Sequence, residues 1–308
     1  MTALTGWNSP ATATLLAALV VCLFTGPTQT MGQGTGPRAN TVEGLPSMIL
    51  SSGWQLQDIV KAPDSGQVIS QPAYSPSQWY KATVPGTVLT SLVDGGVYPE
   101  PLYGENNRPD KIPESLCRTS YWYRTQFEAP RDYSGKRIWL NFDGINYIAE
   151  VWVNGKKAGD IKGAFARGIF DITDLVKPGE RAAIAVRINP PPHPGNPPEQ
   201  TVALGTGGNG GILMEDGPTF GCTIGWDWIP AIRDRDMGIW QKVTLSTTGP
   251  VRIDDPSVSS DLPLPKTDTA DLMVLTTARN ATDKAQTGTL KMKLDPLPSR
   301  LCTRICPP

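Results

Sequence analysis

The run Gly225-Trp226-Asp227-Trp228-Ile229-Pro230-Ala231-Ile232-Arg233-Asp234-Arg235-Asp236-Met237-Gly238-Ile239-Trp240 holds three Trp, three Asp and two Arg. An indole face can lie against the apolar face of a sugar ring while carboxylates and guanidinium groups bond its hydroxyls, so this mixture suits a carbohydrate subsite. A buried Trp cluster with polar neighbours at its rim is the competing account, because large aromatics are buried on average. Other chemistries fail on context. His193 is the only histidine and sits among prolines, so neither a Ser-His-Asp arrangement nor a His-based metal centre can be built. Gly205-Thr206-Gly207-Gly208-Asn209-Gly210 fits a dinucleotide fingerprint literally, but no βαβ unit surrounds it. No metal or cofactor is expected.

The elements that must position this run read as strands. In a chain of 308 residues, 31 Gly and 30 Pro with only 19% charged residues favour short strands joined by turns, hence an all-β protein. Tyr121–Glu128 alternates as an edge-to-core strand with Trp122, Arg124, Gln126 and Glu128 on one face, and Ile138–Phe142 and Ile148–Val153 follow as strands. Asn154-Gly155 predicts a hairpin, because both central residues of a type I′ turn need positive φ. Thr87–Gly96 predicts a short helix with a glycine stop. Asp171–Glu180 reads as a one-turn helix and turn, and Ala182–Ile188 and Trp240–Thr247 as further strands. The Pro- and Gly-rich stretch 190–211 cannot join a ladder, and its place just before the Trp/Asp run suits an active-site rim. Five or more strands with such turns predict a jelly-roll β-sandwich. Pro250–Pro256 reads as a boundary, followed by strand patterns at Asp271–Asn280 and Thr287–Leu294.

A net charge of −1 and a pI near 5.9 leave no basic surface for a phosphate backbone, which argues against nucleic acid as a partner. The apolar run Leu15–Phe24 has signal-peptide length and is too short for a comfortable membrane span, so the expectation is a secreted or periplasmic protein without a stable span, although no basic residue precedes the run. Cys117 and Cys222 could pair in an oxidising compartment or remain thiols. Asn280-Ala281-Thr282 fits a glycosylation sequon.

Three ordered blocks, Tyr121–Phe127, Leu140–Gly155 and Gly225–Leu245, resemble the N-terminal sugar-binding (galactose-binding-like) domain of glycoside hydrolase family 2, in its β-mannosidase and exo-β-D-glucosaminidase-like branch. The resemblance covers residues 54–251 and implies a galactose-binding-like jelly roll followed by an immunoglobulin-like sandwich. It also implies that Trp226, Asp227 and Trp228 reach the subsite beside a catalytic barrel, with Asp227 accepting hydrogen bonds from sugar hydroxyls and one Trp walling the pocket. Either Trp226 alone is exposed, with Trp228 and Trp240 in the core, or more of the run is. Arg235, and more weakly Arg233, could contact substrate or pair with Asp234 or Asp236 to fix the loop. In the family the two catalytic Glu lie on a (β/α)₈ barrel of roughly 250 residues, for which the chain has no room. No residue here is therefore assigned a catalytic role, and Asp227, Asp234 and Asp236 remain a weak carboxylate alternative.

The resulting expectation is a hydrophobic N-terminal segment over residues 1–30, a linker over 31–46, the sugar-binding jelly roll over 47–250 and an incomplete immunoglobulin-like domain over 251–308. The last of these is shorter than the roughly 100 residues that such a fold takes, which suggests a truncated or frameshifted product. The expected partner is a β-linked glycan or glycoside, bound by part of a glycosidase acting on β-linked mannosyl or glucosaminyl residues. A free-standing secreted carbohydrate-binding protein is the alternative.

Overall fold

The computed structural model describes residues 12–23, 47–197, 211–221, 231–262, 264–265 and 269–292. In chain order the strands are β1 (Thr12–Leu23), β2 (Ser47–Ile49), β3 (Gln55–Asp58), β4 (Tyr80–Lys81), β5 (Tyr121–Glu128), β6 (Arg137–Phe142) and β7 (Ile148–Val153). They continue with β8 (Lys156–Lys162), β9 (Gly168–Asp171), β10 (Arg181–Asn189), β11 (Val243–Thr248), β12 (Val251–Asp261) and β13 (Thr269–Asn280). Two short helices, α1 (Gly66–Ile69) and α2 (Val88–Asp94), interrupt them. The chain divides into two units, Leu45–Thr247 and a second made of Met1–Gly44 with Thr248–Pro308.

The larger unit contains a six-stranded sheet of order β4-β3-β5-β10-β7-β8 and a four-stranded sheet of order β2-β11-β6-β9. Period-two alternation supplies its core. Tyr123 and Phe127 of β5, Val151 and Val153 of β7, Ile184 and Val186 of β10, Leu140 and Phe142 of β6, and Val243 and Leu245 of β11 join one buried cluster. Each such side chain contributes about 1.5–3 kcal/mol when fully buried.

Strand β5 is central, paired antiparallel with both β3 and β10, and both of its faces are covered. This corrects the edge-to-core reading. Up to the exposed Glu128 its polar face turns inward: Arg124 donates from Nε to the Ile69 carbonyl (2.9 Å) and from Nη2 to those of Gln71 and Tyr74 (3.1 Å each), while Gln126 donates to Pro72 O (2.7 Å). These side chains satisfy the irregular backbone around α1 that no ladder could pair. Trp122 packs on the same face with Ile69 and Ala185.

The hairpin at Asn154-Gly155 is present, with φ of 46° and 82°, and it joins β7 to β8. Helix α2 starts at Thr87, whose hydroxyl accepts from Thr90 N (3.2 Å), and stops before Gly95. Strand β9 carried no alternation signal. It ends at Asp171, whose carboxylate accepts from Thr173 N (3.0 Å); this local bond favours turns over a helix in the stretch that follows.

In the smaller unit the sheet order is β1-β13-β12. The apolar N-terminal run forms β1, antiparallel to β13. No helix among the described residues is long and apolar enough to cross a membrane. Pro256 lies inside β12. Proline is tolerated there because β12 is an edge strand and its register slips between Asp254 and Ser257, with Asp255 at φ 48°. Over its described part, the expected strand Thr287–Leu294 does not form one.

Candidate functional site

Trp226, Asp227 and Trp228, with Cys222, lie outside the described residues; the chain is described up to Gly221 and again from Ala231. Both flanks are fixed by side chains. On the downstream side the Asn107 amide donates to Ala231 O (3.0 Å), and Arg233 returns the contact by donating to Asn107 O from Nε (3.1 Å) and Nη2 (2.6 Å). Arg233 also bonds Glu114 Oε1 (2.5 Å). Arg235 bonds Glu114 Oε2 (2.8 Å), Pro194 O (2.9 Å) and Ile232 O (3.1 Å). One carboxylate thus sits between two guanidinium groups, and the cluster ties the 105–118 loop to 232–235 and, through Arg235, to the Pro-rich 190–197 loop.

Arg235 is 2% exposed, so its guanidinium is an internal tie in this arrangement. The sequence paired Arg233 and Arg235 with Asp234 or Asp236 as one option; both reach Glu114 instead, more than a hundred residues upstream. No local signal marked Glu114. Burial by itself raises its carboxyl, but hydrogen bonds from Arg233 and Arg235 and their charges outweigh that and hold it below the ordinary carboxylate value. Cys117, one turn along, is a free buried thiol that burial pushes up.

On the upstream side, 211–221 is pinned by Tyr147 OH to Gly217 O (3.1 Å), by Ala164 N to Pro218 O (2.9 Å) and by Thr219 Oγ1 to Asn146 Oδ1 (2.8 Å). The Asp216 carboxylate accepts from His193 N (2.5 Å), so the sole histidine braces the Pro-rich loop against this segment. Asn146, fully buried, is shared by both flanks. Its Nδ2 donates to Arg235 O (2.9 Å) and Asp236 O (3.2 Å), holding a turn in which both residues have positive φ (53° and 57°). Beyond the turn, Gly238 exchanges backbone bonds with Asn146 (3.0 and 2.9 Å).

The three carboxylates of the run are inequivalent. Asp234 is fully buried and accepts from Leu89 N (2.7 Å) at the start of α2 and from Asp236 N (2.9 Å); burial pushes it up against those bonds. Asp236 lines a cavity of about 220 Å³ with Thr87, Thr90, Asp94, Glu100 and Ile232, and no hydrogen bond reaches its carboxylate among the described residues. Burial, reinforced by the charge of Asp234 and opposed by Arg235, raises Asp236 to about 6. A carboxyl raised on folding contributes stability that is fully present below its unfolded value near 4 and lost as pH rises through about 6. Asp236→Asn should therefore raise the melting temperature at pH 7.5 and give little gain at pH 4, as thermal unfolding at the two pH values will show; an equal gain at both would contradict this.

Residues 54–241 match the family model described as glycosyl hydrolase 2 galactose-binding domain-like. Mannosylglycoprotein endo-β-mannosidase of Lilium longiflorum is 37% identical over 213 residues, covering 67% of this chain and 22% of the relative. Exo-β-D-glucosaminidase of Streptomyces avermitilis is 30% identical over 296 residues, covering 92% of this chain and 29% of the relative. The chain thus spans less than a third of the length of these curated relatives. Among solved structures, the exo-chitosanase CsxA of Amycolatopsis orientalis superposes with a TM-score of 0.59 at 23% identity, over 84% of this chain and 28% of that one, which shows the shared all-β fold. On the match over residues 54–241, the chain belongs to the glycosyl hydrolase 2 galactose-binding domain-like family.

Proposed function

We propose that the unit Leu45–Thr247 binds β-linked glycans at its loop end, as the sugar-contacting part of a glycosidase that acts on β-linked mannosyl or glucosaminyl residues. The observation that carries this reading is the double anchorage of the chain on either side of Trp226-Asp227-Trp228: Glu114 with Arg233 and Arg235 on one side, Asn146 with Thr219 and Tyr147 on the other. A subsite must hold its indole and carboxylate groups in place before the sugar arrives, because each side chain ordered on binding subtracts from affinity. The names of the relatives, an endo-β-mannosidase and an exo-β-D-glucosaminidase, supply the two candidate sugars. Bond cleavage needs two carboxyl groups across the glycosidic oxygen. Glu114 is committed to two arginines and Asp234 to backbone amides, so this unit's part in the reaction is to grip and orient sugar.

Calorimetric titration with β-1,4-mannohexaose and with a chitosan hexamer tests the reading. Binding to one of them in the micromolar-to-millimolar range is expected, weakened at least tenfold by Asp227→Ala or Trp226→Ala. Binding to neither, by a chain with a cooperative melt, would overturn the proposal.

A further inference from the structure

Phe165, Phe220 and Trp240 meet edge to face, with ring centroids 5.0 Å (Phe165 to Phe220), 5.8 Å (Phe165 to Trp240) and 4.7 Å (Phe220 to Trp240) apart. They come from three separate stretches of the larger unit, and they are not core: Phe165 is 55% exposed and Phe220 41%. Its Trp240 ring is nevertheless held in place. The Trp240 indole N–H donates to Ala164 O (2.8 Å), and the ring lies on Gly144 so closely that a Cβ there would stand 2.7 Å from its Nε1. Ala164 is itself tied to Pro218, two residues before Phe220.

We infer that Phe165, Phe220 and Trp240 form a preorganised aromatic platform that takes the apolar face of a sugar ring in a neutral β-linked glycan, as a contact additional to Trp226-Asp227-Trp228. Aromatic rings locked before binding present their faces without an ordering cost. The polar flanks favour sugar over an apolar protein surface. Asp143 and Gln241 border Gly144 on the two segments that meet there, and Asp143 is exposed. Among the described residues neither makes a side-chain hydrogen bond, which leaves a carboxylate and a carboxamide for ring hydroxyls. An apolar protein partner would strip water from both without replacing it. Phe220 also stands two residues before Cys222, so the platform adjoins the stretch that leads into the Trp-Asp-Trp run.

This inference rests on the sugar-binding reading above, and the test separates the two. The 308-residue chain and its Phe165→Ala, Phe220→Ala, Phe220→Tyr and Asp227→Ala variants are titrated with β-1,4-mannohexaose, with thermal melts as the control for folding. Phe165→Ala and Phe220→Ala should each weaken binding about fivefold or more with a near-unchanged melting temperature, since both rings are exposed, and Phe220→Tyr should retain affinity because it keeps the ring face. Affinities of both alanine variants within about twofold of the parent chain, while Asp227→Ala abolishes binding, would overturn the platform alone. Absence of mannohexaose binding by the parent chain would overturn the platform, and absence of chitosan-hexamer binding as well would overturn the sugar-binding reading with it. Should an alanine variant misfold, saturation-transfer NMR on the parent chain decides: transfer from aromatic protons of Phe165 or Phe220 to the glycan supports the platform, and its absence with glycan bound overturns it.

Discussion

Glu114→Ala should lower the stability of the larger unit by about 3–5 kcal/mol, a cost typical of removing one partner from a buried ion pair. Two guanidinium groups that now share the carboxylate, at 2.5 and 2.8 Å, would both lose that anion. Arg233 and Arg235 side chains are only 6% and 1% exposed, so water cannot take the place of the lost anion. The carboxylate itself is 22% exposed, which argues for the lower half of that range. For a unit of this size the melting temperature should fall on the order of 10 °C. Glu114→Gln, which keeps an acceptor but loses the charge, should fall less. Because the carboxyl is held below its ordinary value, its contribution persists above the unfolded value and is lost as pH falls through the folded one, so the difference between Glu114→Ala and the parent chain should shrink in acid. Thermal melts at pH 7 and pH 3.5 check both statements; a shift under about 2 °C at pH 7 would mean that the cluster is not a structural tie.

Gly238→Ala should be comparably damaging, by about 3 kcal/mol or more, through the backbone. Gly238 has φ 154°, and a Cβ there would stand 2.5 Å from both Gly86 O and Thr87 Cα, backbone atoms that cannot swing away. The close approach is built in: Gly86 N donates to Ile239 O (2.9 Å) and Val88 N to Met237 O (2.7 Å), so the Met237–Ile239 stretch runs wedged between the entry to α2 and Asn146. Displacing it would also disturb the Asn146 bonds to Arg235 O and Asp236 O, and with them the turn between the Arg cluster and Trp240. Urea unfolding of the variant gives the loss directly. A loss within 1 kcal/mol would mean that the backbone relaxes more than its hydrogen bonds suggest.

What could be read from the sequence follows the range of the interactions. The hairpin at Asn154-Gly155 and the short helix with its glycine stop after Thr87 depend on a few adjacent residues, and alternation marked Ile148–Val153 to the residue. Alternation also had a blind spot: it assumes that a polar face meets water, so it could not place β5 at the centre of a sheet whose polar residues bond the backbone around α1. In the candidate site the charged cluster was visible as a composition, whereas its wiring was not. The spacing Arg-Asp-Arg-Asp invites pairing between neighbours, yet Arg235 and Asp236 take positive φ and both arginines turn to Glu114, a partner fixed only by the fold. The aromatic trio was equally hidden, since Phe165, Phe220 and Trp240 come from separate stretches whose meeting only the fold fixes, and Trp240 lies just before the strand that the alternation had extended to it.

The central claim, that glycan is gripped at the loop end of the larger unit, is tested most directly by hydrogen–deuterium exchange with and without saturating β-1,4-mannohexaose or chitosan hexamer. Slower exchange in peptides covering 211–240 and 105–118, with no change in β12 and β13, is the expected result. Protection confined to 251–292, or none anywhere at a glycan concentration shown by titration to saturate, would contradict it.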